Sequence, residues 1–362
     1  MIPERVTATV DLSALRHNLQ RVRQYAPTSR IMGALKADAY GHGTAAVART
    51  LDGELDAYAV ACLEEAEAIR SLGCSTPCVL LEGLLHPSEV STVAARGDCL
   101  VLHADWQLDC LQNARVSQPI PVWVKLDTGM NRLGFCPEQA PRLAAAVQAI
   151  PSVRLLGWMT HLANADAAEP ESTLEQLTRF FAAVEGLPGQ RTIANSAGLM
   201  AYPQARVDWV RPGIMLYGAS PLEGRLARQD DLRPTMRVES RLIAIREVPA
   251  GQAVGYGSEW RCAEPTRVGV IAMGYGDGYP RHARSGTPVL VQGQVVSLIG
   301  RVSMDMITVD LRACPQAQVG DAATLWGGAL PVETVAAHAG TIAYDLFCGL
   351  TNRVRYHYQH PD

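Results

Sequence analysis

Eight short apolar runs, separated by segments with helical patterning, make up most of the chain before residue 212. Near-continuous apolar strands that alternate with helices are typical of parallel strands buried on both faces. Eight such strands close a barrel, so the sequence predicts an α/β fold, an (α/β)8 barrel of the TIM type. The runs are RIMGAL (30–35), AYAVAC (57–62), PCVLLEG (77–83), DCLVLH (98–103), IPVWVKL (120–126), VRLLGWMTHL (153–162), RTIAN (191–195) and VDWVR (207–211).

The pattern changes beyond about Arg233. Alternating apolar and polar residues with frequent glycines follow, together with one late helical pattern around LPVETVAAHAG, which indicates a mainly β second domain. The polar stretch at 225–234 has the composition of a linker. We therefore expect a barrel domain at 1–230 and a C-terminal β domain at 231–362, with the alternating strand that opens the chain free to pack on the β domain.

Composition excludes several classes of protein. A net charge of −4 and a pI of about 6.2 argue against nucleic acid or an anionic membrane as a partner, and no apolar run has the length of a membrane span. The nine cysteines are scattered without a C-x-x-C pair, as expected for free thiols in a reducing compartment. The spacing of the histidines, including His42, fits no metal site. We expect a cytoplasmic protein that acts on a small molecule.

Polar and ionisable residues follow the apolar runs where a barrel of this type carries its active site, at the carboxyl ends of the strands. A lone lysine there is either a stem with its ammonium in water or a reactive amine. The residues on this rim are Lys36, Tyr40, Lys125, Arg132, His161, Asn195, Ser196, Arg211, Gly213 and Ile214. The loops after the seventh and eighth strands are the usual phosphate site of such barrels. A phosphate there and a lysine able to form a Schiff base together point to pyridoxal 5′-phosphate.

Eight motifs, in order along the chain, carry a resemblance to a known family. They are LKADAYGHG, KLDTGMNRLG, MTHLANAD, ANSAG, VRPGIMLYG, GYGSEW, GYGDGYPR and GRVSMDM. Over essentially its whole length the sequence resembles the alanine racemases, pyridoxal-phosphate enzymes with a barrel followed by a β domain. The resemblance implies two-base interconversion of L- and D-alanine by a homodimer with shared active sites.

The resemblance assigns roles to three residues first. Lys36 would hold the cofactor and act as the base on one face of the substrate α-carbon, and Tyr256 would be the acid/base on the other face. Arg211 would face the pyridine nitrogen. Because an arginine stays charged, it would donate a hydrogen bond there without delivering a proton.

Further residues take roles around these three. Arg132 would orient the substrate carboxylate and the phenol of Tyr256. Lys125 matches a position that is carbamylated in many members of the family, although a plain lysine paired with Asp127 is an alternative. The residues that match the cofactor-binding positions, apart from Lys36 and Arg211, are Tyr40, His161, Asn195, Ser196, Gly213 and Ile214.

The resemblance also extends to four positions of the β domain. Met304 and Asp305 resemble residues that reach the active site from the partner subunit, and Tyr275 matches a tyrosine at the entrance. Many members have a phosphate-binding tyrosine where this sequence has Asn352, which affects the expected strength of cofactor binding.

Two other functions compete with this interpretation. A serine or broad-specificity amino-acid racemase could use the same scaffold and would differ only in the size of its pocket. A non-catalytic pyridoxal-phosphate carrier would need the barrel alone, so the β domain with Tyr256 argues against it.

Overall fold

The computed structural model describes residues 4–167 and 169–360. The opening strand β1 (Thr7–Asp11) is followed by eight parallel strands that form a closed barrel. These are β2 (Arg30–Ala34), β3 (Ala57–Val60), β4 (Cys78–Leu80), β5 (Cys99–Leu102), β6 (Ile120–Lys125), β7 (Val153–Met159), β8 (Gln190–Thr192) and β9 (Trp209–Val210). The first strand closes on the last through the parallel pairs Arg30↔Trp209 and Ile31↔Val210. The predicted barrel fold is confirmed.

Each barrel strand is shorter than the apolar run that predicted it, so residues at the ends of the runs lie in the loops that form the rim. The strand β7 ends at Met159 and β9 at Val210, so His161 and Arg211 lie just beyond strand ends rather than inside the sheet. The barrel strands are largely buried on both faces, with Trp123 and Trp158 among the largest fully buried side chains. A packed barrel interior leaves the carboxyl-end loops as the place for a binding site.

Helices surround the barrel and connect its strands. The first begins where Asp11 Oδ1 accepts hydrogen bonds from the amides of Ser13 (2.8 Å) and Ala14 (3.0 Å), an N-cap that satisfies free donors of the first turn. The helical segments are α1 (Leu12–Tyr25), α2 (Lys36–Gly41), α3 (Thr44–Leu51), α4 (Leu63–Ser71), α5 (Val90–Arg96), α6 (Asp105–Gln112), α7 (Ala140–Gln148), α8 (Glu171–Ala183), α9 (Ser196–Ala201), α10 (Val332–Ala339) and α11 (Ala343–Cys348). Short 3₁₀ turns span Pro87–Glu89, Pro137–Gln139, Pro203–Ala205, Ala227–Asp230, Tyr256–Ser258 and Tyr275–Asp277. Two late helices, α10 and α11, replace the single one predicted, because α11 is too short to show a period in the sequence.

The C-terminal part is mainly β, as predicted. Its strands are β10 (Met236–Val248), β11 (Ala253–Val254), β12 (Trp260–Arg261), β13 (Thr266–Ile271), β14 (Pro288–Val291), β15 (Gln294–Leu298), β16 (Ile307–Asp310), β17 (Ala322–Trp326) and β18 (Arg355–Gln359). The long strand β10 pairs with both β13 and β17, so the order β13-β16-β15-β14-β17-β10 forms a closed antiparallel ring. The strands β11 and β12 form a separate two-stranded sheet.

The opening strand lies in the C-terminal sheet, between β10 and β18. It pairs antiparallel to β10 through Ala8↔Val238 and parallel to β18 through Ala8↔Tyr356. The two ends of the chain therefore meet in one sheet beside the barrel. The division at 230/231 stays a prediction, and its outermost residues, 1–3 and 361–362, lie outside the described residues.

In the ranges 4–167 and 169–360, no helix combines the length and apolar character that crossing a membrane requires.

Candidate functional site

The segment after β2 has an uncommon backbone. Four successive non-glycine residues after Lys36 (Ala37, Asp38, Ala39 and Tyr40) have φ of 52–53° and ψ of 45–53°, a left-handed turn. L-residues disfavour this conformation by roughly 1–2 kcal/mol each because Cβ approaches the following carbonyl oxygen. Strain of this size persists only where surrounding contacts fix the backbone, and such segments cluster at functional sites.

Contacts from different elements hold this turn. Glu65 on α4 accepts the Ala37 amide at 2.8 Å, and Asp38 Oδ1 accepts the Thr44 amide at 2.7 Å. From the C-terminal strand β18, the Tyr356 hydroxyl donates to the Gly41 carbonyl at 2.9 Å. Gly41 has φ +71°, and a Cβ there would lie 2.1 Å from the Phe347 carbonyl oxygen, so only glycine fits.

The turn borders a cavity of about 670 Å³ at the carboxyl ends of the barrel strands. Nine of the predicted site residues line it: Lys36, Tyr40, Lys125, Arg132, His161, Asn195, Ser196, Arg211 and Gly213. Among the described lining residues four are cationic and one, Glu82, is acidic. The cavity is therefore suited to an anionic molecule.

Arg211 lies at the centre of a hydrogen-bond network with neutral partners. Its Nη1 donates to Thr192 Oγ1 at 2.7 Å, and its Nη2 donates to the carbonyls of Thr160 (2.6 Å) and Ile193 (3.0 Å). Burial lowers the pKa of Arg211 to about 10, which still leaves the guanidinium charged near neutral pH. The network fixes the direction in which this cation faces the cavity.

His161 lies against this guanidinium. Its Nδ1 is 3.3 Å from Arg211 Nη2. Burial, followed by the positive charges of Arg211 and Lys125, holds the pKa of His161 well below its usual value. The imidazole is therefore neutral, and its Nδ1 can accept the hydrogen bond from the arginine.

The chain contains only two lysines, Lys36 and Lys125, and both line this cavity. Lys125 ends β6 and is 8 % exposed. Burial, with repulsion from Arg211 and Arg132, lowers the pKa of its amine to about 8. Asp127 accepts the amides of Gly129 and Asn131 at 3.0 Å each, so its Oδ1 organises its own loop.

Ser196, Gly213 and Tyr40 lie next to one another in the lining of the cavity. Ser196 Oγ accepts the amides of Gly213 (2.9 Å) and Met215 (3.3 Å), which leaves its hydroxyl hydrogen to donate. A Cβ on Gly213 would lie 2.6 Å from the Tyr40 hydroxyl oxygen, so the glycine makes room for this phenol. Ile214 is fully buried behind them, and Asn195 caps α9 by accepting the Gly198 amide at 2.8 Å.

The four predicted residues of the C-terminal part do not line the cavity of their own chain. Tyr256 is 69 % exposed, Met304 53 % and Tyr275 37 %, and Asp305 is also exposed. The Gly276 amide bonds the Met304 carbonyl at 2.8 Å, which places Tyr275 beside Met304. Asp305 accepts from Arg353 at 2.8 Å. These residues present polar and aromatic groups on the surface of the chain.

Sequence reasoning missed several residues of the site. Tyr344 and Cys348 of α11 line the cavity, and the Tyr344 ring lies 5.6 Å from that of Tyr40. Gln176 of α8 is 3 % exposed and donates to Thr128 Oγ1 (3.2 Å) and the His161 carbonyl (3.1 Å), so it ties two rim loops together. No local sequence signal marks these positions. Asn352 is exposed and does not line the cavity.

Comparison with known proteins gives consistent matches along the chain. Residues 10–221 match the family model "alanine racemase, N-terminal domain" and residues 235–358 match "alanine racemase, C-terminal domain". An alanine racemase of Nitrosococcus oceani is 52 % identical over 351 residues, which are 96 % of this chain and 97 % of the relative.

Solved structures give the same result. The biosynthetic alanine racemase of Pseudomonas aeruginosa superimposes with a TM-score of 0.96 at 43 % identity, over 99 % of this chain and 100 % of that chain. The alanine racemase of Bartonella henselae, described with covalently bound pyridoxal phosphate, superimposes with a TM-score of 0.88 at 28 % identity, over 99 % and 100 %.

Proposed function

The chain belongs to the alanine racemase family, and from that premise we propose that it interconverts L-alanine and D-alanine with pyridoxal 5′-phosphate bound in the barrel cavity. The observation that carries this proposal is the pairing of a lysine amine and a hydrogen-bonded arginine in one cationic cavity. Racemisation needs a proton to leave the α-carbon on one face and to arrive on the other, and a lysine amine can move that proton on one face. A charged arginine adds a hydrogen-bond donor that does not transfer its proton.

The residues present fit this cofactor. The Tyr40 hydroxyl, which a Cβ on Gly213 would displace, and the free hydroxyl hydrogen of Ser196 would hold the phosphate. Lys36 would hold the aldehyde carbon, and Arg211 would donate to the ring nitrogen. When bound, the cofactor supplies an electron-withdrawing ring that makes the α-hydrogen of an amino acid acidic.

The protein's own groups then determine the outcome. With a pKa of about 10, Arg211 keeps its proton near neutral pH and donates without transferring it. Lys36 would take or return the α-proton on one face. Tyr256 would serve the opposite face, since a single base could return the proton only to the side from which it came.

We also propose that Lys125 reacts with carbon dioxide to form a carbamate that orients Arg132. Carbamate formation needs an unprotonated amine, and burial lowers the pKa of Lys125 to about 8. The resulting anion would offset part of the positive charge that Arg132 and Arg211 place in the cavity.

A homodimer is the proposed assembly. Tyr256 lies outside the cavity of its own chain, and Tyr275 and Met304 are likewise large side chains exposed on the C-terminal part. A second copy would bring Tyr256, Tyr275, Met304 and Asp305 to the cavity. The nine free cysteines support a location in the reducing cytoplasm.

Racemisation by purified protein tests the activity. Protein incubated with pyridoxal 5′-phosphate and L-alanine should lose the optical activity of the substrate until equal amounts of both enantiomers remain. A panel with L-serine and larger amino acids separates an alanine racemase from a broader one, because faster turnover of a larger substrate would contradict the proposed specificity. Retention of the cofactor without racemisation of any substrate would support a carrier instead.

A further inference from the structure

His42 is a fully buried histidine two residues after the strained turn that follows Lys36. Its Nδ1 lies 2.8 Å from the Tyr40 carbonyl, and its Nε2 lies 2.8 Å from Thr235 Oγ1. Because a carbonyl can only accept, Nδ1 carries the proton. Burial lowers the pKa of His42 to about 4, so the ring is neutral near neutral pH.

Thr235 belongs to another part of the fold. It directly precedes β10, the long strand of the C-terminal ring, and its hydroxyl also lies 2.7 Å from the Tyr217 carbonyl. The single hydroxyl hydrogen is thus shared between Nε2 of His42 and this carbonyl. His42 is the side chain through which the start of the β part reaches the backbone of the turn.

Aromatic rings fix the plane of His42 on both sides. Its ring centroid lies 4.6 Å from that of Tyr217 and 4.8 Å edge-on from that of Phe347. Tyr217 also stacks on Tyr40 at 5.0 Å. His42 therefore positions Tyr40 in two ways: it donates to the Tyr40 carbonyl, and it packs on Tyr217, the ring on which Tyr40 stacks. The Tyr40 hydroxyl in turn lies beside Gly213.

We propose that His42 is a positioning residue that locks the left-handed turn, and with it Lys36 and Tyr40, to the start of the C-terminal part through Thr235. Four non-glycine residues in this conformation are strained, so without the lock they would open to ordinary backbone more often, although the other contacts of the turn remain. The relaxation would move Lys36 at one end of the turn and Tyr40 at the other. The inference depends on the proposed function only where the cofactor serves as a probe.

The sequence offers a test that needs no cofactor. Endoproteinase Lys-C cuts after lysine, and the two lysines give only two sites, after Lys36 in the turn and after Lys125 at the end of β6. In His42→Gln and Thr235→Val, cleavage after Lys36 should rise relative to cleavage after Lys125 by about tenfold, the equivalent of one lost hydrogen bond.

Asn18 supplies the matched control. It is a fully buried polar side chain that donates to the carbonyls of Leu216 (3.0 Å) and Arg233 (2.8 Å), close in sequence to Tyr217 and Thr235 but without a bond to the turn. Asn18→Leu should destabilise the fold and raise both cleavages by the same factor. An unchanged ratio in both His42→Gln and Thr235→Val would overturn the proposal.

Binding of pyridoxal 5′-phosphate gives the second readout. His42→Gln should bind it about tenfold more weakly, with a smaller change for pyridoxal, which lacks the phosphate that Tyr40 would contact. Asn18→Leu should keep the wild-type ratio of the two affinities. If His42→Gln also keeps the wild-type ratio, the proposal that His42 positions Tyr40 is wrong. Failure of the wild type to bind the cofactor would contradict the proposed function. The cleavage ratio would then be the test of whether His42 positions the turn.

Discussion

Lys36 and Lys125 are the only amine side chains of the protein, and both face the same cavity, one following β2 and the other ending β6. The remaining 30 of the 32 basic residues are arginines, which do not form stable imines. Among the side chains, imine formation is therefore restricted to these two positions. Burial lowers the pKa of the Lys125 amine to about 8.

The first prediction is that the cofactor binds covalently to Lys36. Borohydride reduction of the protein with pyridoxal 5′-phosphate should add one pyridoxyl group and block Lys-C at Lys36, leaving a labelled fragment 1–125 that mass spectrometry identifies. Lys36→Arg should remove the label and Lys125→Arg should keep it. A label confined to Lys125 would contradict the assignment.

A second prediction concerns the carbamate on Lys125. In ¹³C-enriched bicarbonate, one carbamate resonance should appear and should grow as the pH rises through about 8, because only the unprotonated amine reacts. Lys125→Arg should abolish the resonance while Lys36→Arg retains it. If Lys36→Arg removes the signal instead, the carbamate lies on the other lysine.

Much of this site could be predicted from the sequence, and the exceptions have physical reasons. Lys36, His161 and Arg211 lie at or just after the ends of three apolar runs, and these ends share one rim because parallel strands share an edge. The left-handed turn after Lys36 could not be predicted, since Ala37, Asp38 and Ala39 do not favour that conformation and contacts remote in sequence impose it.

Residues that contribute to the site through tertiary packing could not be predicted from the sequence either. Gln176 and Tyr344 contact the rim from α8 and α11. The apolar pattern of a helix shows which residues are buried, but it does not show which of them hydrogen-bond to loops of the site. The opening strand was recognisable as a strand, but its pairing with β18 depends on residues more than 340 positions away.

A third prediction follows from the pKa of His42. Burial lowers this pKa from 6.5 to about 4, so the folded protein binds fewer protons than the unfolded chain between these values, and stability falls as the pH decreases from 6.5 towards 4. At pH 5 the loss from this group is about 2 kcal/mol relative to pH 7.5. Burial of His161 acts in the same direction.

Urea unfolding at pH 7.5 and pH 5 measures this loss. His42→Gln should lose less stability over the interval than the wild type, although it is less stable at pH 7.5. Asn18→Leu, which removes a buried polar side chain but no titratable group, should lose as much stability between the two pH values as the wild type. Equal losses in the wild type and His42→Gln would show that folding does not lower the pKa of His42, and the prediction would be wrong.

The last prediction tests whether the two bases come from different chains. Lys36 lines the cavity, whereas Tyr256 is 69 % exposed and lies outside it, so Lys36→Ala and Tyr256→Phe should each form a homodimer with little activity. In an isologous dimer the two sites are equivalent, and a heterodimer of the two variants has one site with both residues intact and one with neither. Random reassembly of equal amounts makes about half of the dimers heterodimers, so activity should recover to about a quarter of the wild-type value. If both residues acted within one chain, every site would still lack a base. Mixing under conditions shown to exchange subunits would then restore no activity, and the model of shared sites would have to be abandoned.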